Sequence, residues 1–145
     1  MIKIVRGDLF ENVAKIIALD DSVKIIIPHV TNNRGVAGAG FVIPLTKYYP
    51  AWLSDYKKGN LELGEVVFTT VNNVTIASMC AQTLLPKERN LNYGYLVECM
   101  QEVKQCYGEI HCPEFGSGLA GGNRDFIRDL IKDIWKDVTL YEFGR

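Results

Sequence analysis

Histidine is scarce in this chain, with two residues, His29 and His111, among 145. They do not group with Cys, Asp or Glu at ligand spacing, so no metal site is expected. The four cysteines, Cys80, Cys99, Cys106 and Cys112, form no CxxC pair and match no zinc pattern. Reduced thiols and a cytoplasmic setting are therefore expected. No apolar stretch approaches the roughly 20 residues that a membrane helix needs. The opening MIKIVRGDLF lacks the basic and long apolar regions of a signal peptide. A net charge of −1 lacks the basic excess with which proteins grip nucleic acid. A small anionic ligand stays open, because backbone N–H groups bind one without net charge. Repeats, low-complexity runs and linkers are also missing.

The rest of the composition suits one domain over residues 1–145, with 48% hydrophobic and 23% charged residues. Element types alternate along it. Residues 2–5 and 24–30 read as strands, the second apolar enough to be buried on both faces. Residues 10–18 carry Phe10, Val13, Ala14, Ile17 and Ala18 at helical spacing. Residues 31–40 have loop chemistry, and a helix is expected from about 39 to 48. Pro44 costs roughly 3 kcal/mol inside a helix but is tolerated in a first turn, so this helix should start near Phe41 or bend. A short helix over 51–58 follows. Residues 64–71 and 74–80 flank Asn72-Asn73 and read as a hairpin. A helix over 91–107, a strand over 109–112, a helix over 125–136 and a strand over 137–141 complete the chain. The fold class is α/β, with helices covering both faces of a mixed sheet.

Two glycine-rich segments follow strands, where ligands bind in such sheets. The first runs from His29 through Asn32, Asn33, Gly35, Gly38, Ala39 and Gly40 to Phe41. Glycines permit close backbone approach, and a helix start beyond them would aim free N–H groups at an anion. The second reads Gly116-Ser117-Gly118-Leu119-Ala120-Gly121-Gly122, between a strand and a helix. It suits a diphosphate cradle. It is neither a Walker loop nor a Rossmann fingerprint. Either segment alone fits a plain tight turn.

In order and spacing these segments resemble the macrodomain family nearly end to end. The likeness begins at Val5-Arg6-Gly7-Asp8-Leu9 and continues through Asn32 to Gly40, with Tyr49-Pro50 after the next helix. It goes on through Leu63-Gly64-Glu65-Val66 and closes with Gly116 to Gly122 and Val138-Thr139-Leu140-Tyr141. The resemblance implies a three-layer α/β/α sandwich with a mixed, mainly parallel sheet, and a pocket for ADP-ribose. Gly7, Asp8 and Leu9 would lie at the adenine, with Asp8 accepting from its amino group. Asp8 equally suits a helix N-cap. Asn32, Gly38, Ala39, Gly40 and Phe41 would surround the distal ribose, and Gly116, Ser117, Gly118, Leu119 and Ala120 would wrap the diphosphate. Tyr141 or Phe143 would stack on adenine, with core packing as the other role of Tyr141.

Within the family the chain looks similar to the small branch of ADP-ribose 1''-phosphate phosphatases and terminal ADP-ribose glycohydrolases. One glycohydrolase subgroup pairs a Lys with an Asp. Here Ala120 replaces the Asp, and Ala77-Ser78-Met79-Cys80 lacks the Lys. A Lys-linked covalent route needs that amine. Phosphomonoester hydrolysis of ADP-ribose 1''-phosphate is then the leading activity, with His29 and Asn32 as catalytic candidates. His29 would serve as acid or base near neutral pH, or attack phosphorus; a merely structural histidine at the sheet edge is the alternative. Gln82, Arg89 and Tyr93 are secondary candidates over the site. Ser117 has no His–Asp arrangement around it and contributes its backbone. His111 reads as structural. The alternatives are a non-catalytic ADP-ribose-binding module and a hydrolase freeing ADP-ribose from modified macromolecules. The expected partner is ADP-ribose or its 1''-phosphate, with nucleic acid only as an ADP-ribosylated substrate. No cofactor and a monomeric state are expected.

Overall fold

Strand β2 (Ile25–Asn32) sets the frame, and its first five residues are buried, as its apolar run requires. The computed structural model describes residues 1–85, 88–116 and 121–142. In it β2 lies between β4 (Val74–Leu85) and β6 (Glu109–Pro113). Beyond β6 come β7 (Val138–Glu142) and the edge strand β1 (Ile2–Arg6). Beyond β4 come β3 (Val66–Val71) and β5 (Glu88–Leu91). The neighbours from β1 to β4 run parallel, whereas β3 and β5 are antiparallel to β4.

Helices α1 (Leu9–Leu19), α2 (Val42–Tyr48) and α3 (Ala51–Lys58) cover one face. Helices α4 (Tyr93–Lys104) and α5 (Arg124–Ile134) cover the other. Side-chain alternation along β2 feeds both layers. Ile25 and Ile27 pack with Phe10, Leu45 and Trp52, while Ile26 packs with Met79, Met100 and Ile131. Burying each such side chain contributes about 1.5–3 kcal/mol. This is the three-layer α/β/α sandwich with a mixed, mainly parallel sheet.

Three helices begin on the side-chain oxygens that their sequences offer. Asp8 accepts from the N–H groups of Phe10 and Glu11, Asn92 from Tyr95, and Asn123 from Phe126. Pro44 falls in the first turn of α2, which begins at Val42 rather than 39, as its missing N–H favours.

Two boundaries differ from expectation. The second hairpin strand continues through Cys80 to Leu85, and β5 folds back on it, pairing Gln82 with Leu91 and Leu84 with Arg89. Short mixed-polarity strands of this kind carry little periodic signal. The register between β2 and β4 also slips by one residue. Thr31 faces Cys80 but Asn32 faces Gln82, so Ala81 is passed over.

Because β1, β7, β6 and β2 are parallel, the segments after Arg6, Pro113 and Asn32 emerge at one end of the sheet. Arg6 and Glu142 are register partners there, and Arg128 of α5 bonds both Glu142, at 2.9 Å, and Glu114.

Candidate functional site

A cavity of about 530 Å³ opens at that end of the sheet. Its walls come from separate parts of the chain: His29, Thr31 and Asn32 on β2, residues 36–42, Gln82 and Leu84 on β4, and residues 113–116. Among the expected site residues it gathers His29, Asn32, Gly38, Ala39, Gly40, Phe41, Gln82 and Gly116. A second hollow of about 30 Å³ is lined by Gly7, Asp8, Leu9 and Tyr141, and shares Phe41 and Pro113 with the first. Ser117, Gly118, Leu119, Ala120 and Phe143 lie outside the described residues, as does the side chain of Arg89.

Asn32 shapes the first loop. Its Oδ1 accepts from the N–H groups of Arg34 at 3.0 Å and Val36 at 3.2 Å, and its Nδ2 donates to the Val36 carbonyl at 2.7 Å. Behind it, the Tyr56 hydroxyl lies 2.6 Å from the Asn32 carbonyl and 3.0 Å from Oδ1. Asn33 continues the anchoring, its Oδ1 accepting from the N–H of Leu84 at 3.2 Å. The loop is thus tied to α3 and β4 before any ligand arrives.

His29 is 2% exposed and lies edge to face against Trp52, with centroids 4.8 Å apart. Its Nε2 pairs with the Ser78 hydroxyl at 2.8 Å, while Nδ1 has no partner among the described residues. Burial pushes its pKa down to about 3. The titration near neutral pH expected of this residue is therefore not what the fold provides. His29 is a neutral imidazole that can accept or donate one hydrogen bond, but it holds no proton to give as a cation.

Across the cavity, Gly116 has φ +78°, and the Gly122 N–H donates to its carbonyl at 2.8 Å. A Cβ on Gly122 would meet that oxygen at 2.5 Å, so only glycine permits this close approach. Glu114 on the rim accepts from Nε of Arg124 at 3.0 Å and also bonds Arg128.

The remaining candidates have protein partners. The Tyr93 hydroxyl accepts from the N–H of Asn123 at 2.7 Å. Tyr141 is 2% exposed, and its hydroxyl meets Asn12 and His111. Asp8 caps α1 through Oδ1 and lines the second hollow as well. Sequence reasoning missed Trp52 and Tyr56, which line the large cavity from below. Their spacing of four residues on a short helix marked a buried face but not a ligand wall.

No protein-family model and no curated protein matches the sequence. Solved structures do. A protein from Bacteroides thetaiotaomicron is 27% identical, with 99% of this chain and 100% of that one covered at a TM-score of 0.80. A macrodomain protein from Streptomyces coelicolor is 28% identical, covering 99% of this chain and 100% of that one at a TM-score of 0.75. The chain has the macrodomain fold. A more distant macrodomain-type fold occurs in Thermosipho africanus DarTG, solved in complex with ADP-ribose. It is 15% identical, with 97% of this chain and 41% of that one covered at a TM-score of 0.72. Residues 36–40 of the first glycine-rich segment and Gly116 of the second line the same cavity.

Proposed function

We propose that this macrodomain binds ADP-ribose or a close derivative. The distal ribose would enter the large cavity, the diphosphate would pass Gly116, and the adenine would lie at Gly7, Asp8, Leu9 and Tyr141. The carrying observation is that residues expected at the distal ribose, His29, Asn32 and residues 38–41, line one cavity with Gln82 and Gly116, and that a second hollow shares Phe41 and Pro113 with it. The complex of Thermosipho africanus DarTG with ADP-ribose supports the ligand class. Asn32 retains a second amide hydrogen that suits a ribose hydroxyl. Titration calorimetry with ADP-ribose tests the reading: heat of binding is expected, and no binding at millimolar ligand would overturn it.

A second reading, hydrolysis of ADP-ribose 1''-phosphate, is favoured by His29 in the cavity lining, whose buried Nδ1 has no partner among the described residues. Water, oriented by a hydrogen bond to neutral His29, would attack phosphorus and give up its proton to solvent, and the P–O bond to the sugar oxygen would break. Solvent would protonate the departing hydroxyl. Release of inorganic phosphate by the wild type, lost in His29→Ala, is the expected result. A wild type that releases none over a broad pH range acts as a binding module only.

A further inference from the structure

Tyr141 stands between the second hollow and a buried polar chain. Its hydroxyl lies 2.6 Å from Nδ2 of Asn12 and 2.8 Å from Nδ1 of His111. Nε2 of His111 lies 3.2 Å from Oε1 of Glu109. His111 is 3% exposed, whereas the Glu109 side chain is 57% exposed, so the chain runs from solvent to the wall of the hollow.

The polarity of this chain has one solution. An amide nitrogen only donates, so the Tyr141 oxygen accepts from Asn12. The single hydroxyl proton then needs an acceptor, and the Nδ1 lone pair of His111 is the group beside it. Neutral His111 must therefore carry its proton on Nε2, where it faces a carboxylate that only accepts. Turning the Asn12 amide over would reverse every bond and set the Nε2 lone pair against Glu109, two acceptors face to face. Both ends of the chain agree on the Nε2–H tautomer.

We propose that His111 is a positioning residue, which holds the Tyr141 ring as a wall of the second hollow and so sets affinity for the base end of the ligand. This rests on the ADP-ribose reading above. His111 touches no ligand itself. A second proton on Nδ1 would leave the buried Tyr141 hydroxyl proton without its acceptor and so loosen the ring. The titratable and charged groups that act on His111 are Glu109 on its own strand, Lys3 on β1 and Tyr141 on β7, whose hydroxyl also meets the uncharged Asn12 of α1. Burial and Lys3 lower its pKa while Glu109 raises it, with burial the largest effect, so release falls on the acid side.

The test combines a spectroscopic and a binding readout. With only two histidines in the chain, ¹⁵N correlation spectra of wild type and His29→Gln assign His111 directly. An unprotonated Nδ1 and a protonated Nε2 are expected. Calorimetry then compares ADP-ribose with ribose 5-phosphate, which lacks the base. His111→Phe should weaken ADP-ribose about tenfold and leave ribose 5-phosphate unchanged. His111→Asn, whose side-chain oxygen can accept from Tyr141, should recover most of the loss. Wild-type affinity for ADP-ribose should fall as pH drops below the ordinary histidine value of 6.5, and the Phe variant should lack that fall. An Nδ1–H tautomer, or equal losses for both ligands, overturns the role of His111. A wild type that binds neither ligand overturns the ADP-ribose reading instead, and with it any effect of His111 on binding.

Discussion

The Tyr56 hydroxyl lies 2.6 Å from the backbone carbonyl of Asn32, so helix α3 grips the end of strand β2 at the point where the first glycine-rich loop departs. Burial pushes this phenol up to about 12, and it stays protonated as a donor throughout the physiological range. Tyr56→Phe keeps the ring stacked on Trp52 and leaves the Asn32 carbonyl without that partner. A loss of about 1 kcal/mol in urea unfolding is expected, together with weaker ADP-ribose binding in calorimetry. Unchanged affinity would show that the loop holds its shape without this bond.

His29 links folding to pH. In the folded chain its pKa lies near 3, against 6.5 for a free histidine. Below pH 6.5 the unfolded chain therefore binds the extra proton and the native chain does not. Stability should be fully present above that value and fall as pH drops, by up to about 1.4 kcal/mol per pH unit. Urea midpoints between about pH 5 and about pH 8 measure this. His29→Gln should flatten most of the slope, leaving the smaller share of His111, which has the same sign. A wild-type profile without slope would contradict the burial of the imidazole.

Asp8 has two separable duties. Its carboxylate caps α1 through bonds of 2.8 and 3.2 Å to Phe10 and Glu11. Asp8→Ala should cost about 1 kcal/mol of stability. Asp8→Ser keeps a capping oxygen and removes the charge, so it should unfold like wild type. If the carboxylate also reads the adenine amino group, Asp8→Ser still loses ADP-ribose affinity. Equal binding by Asp8→Ser and wild type would confine Asp8 to the cap.

Gly122→Ala would force a methyl group against the Gly116 carbonyl at 2.5 Å and the Leu91 side chain at 2.6 Å. The backbone oxygen cannot swing aside as a side chain can. A destabilisation of about 1–3 kcal/mol is expected from this overpacking, read by thermal unfolding. ADP-ribose binding should drop with it.

Much of this architecture is legible in the sequence because burial writes periodic patterns. Ile25, Ile26 and Ile27 announce a strand covered on both faces, and Phe10, Val13 and Ile17 announce a helix with one face inward. The position of both glycine-rich segments after strands follows from the same alternation. Depth is not legible in this way. Nothing in the neighbours of His29 shows that Trp52, some twenty residues on, will seal it from water and remove its charge. Nor does the sequence show that the polar stretch at Gln82 and Thr83 extends a strand, because the partner that makes it one, β5, is as short and polar as itself. Asn32 looked like a ligand contact by composition; its three loop bonds depend on the path the chain takes around it.

The slipped register between β2 and β4 decides what faces the cavity on that wall. Had the ladder kept its count, Ala81 would stand opposite Asn32, and the Gln82 amide would be carried one step onward and to the opposite face. A methyl group would then replace the polar partner beside the Asn32 position. The hydrogen-bonding character of this wall is thus a product of one surplus residue in the strand, and it would vanish with a change of parity that altered no side chain at all.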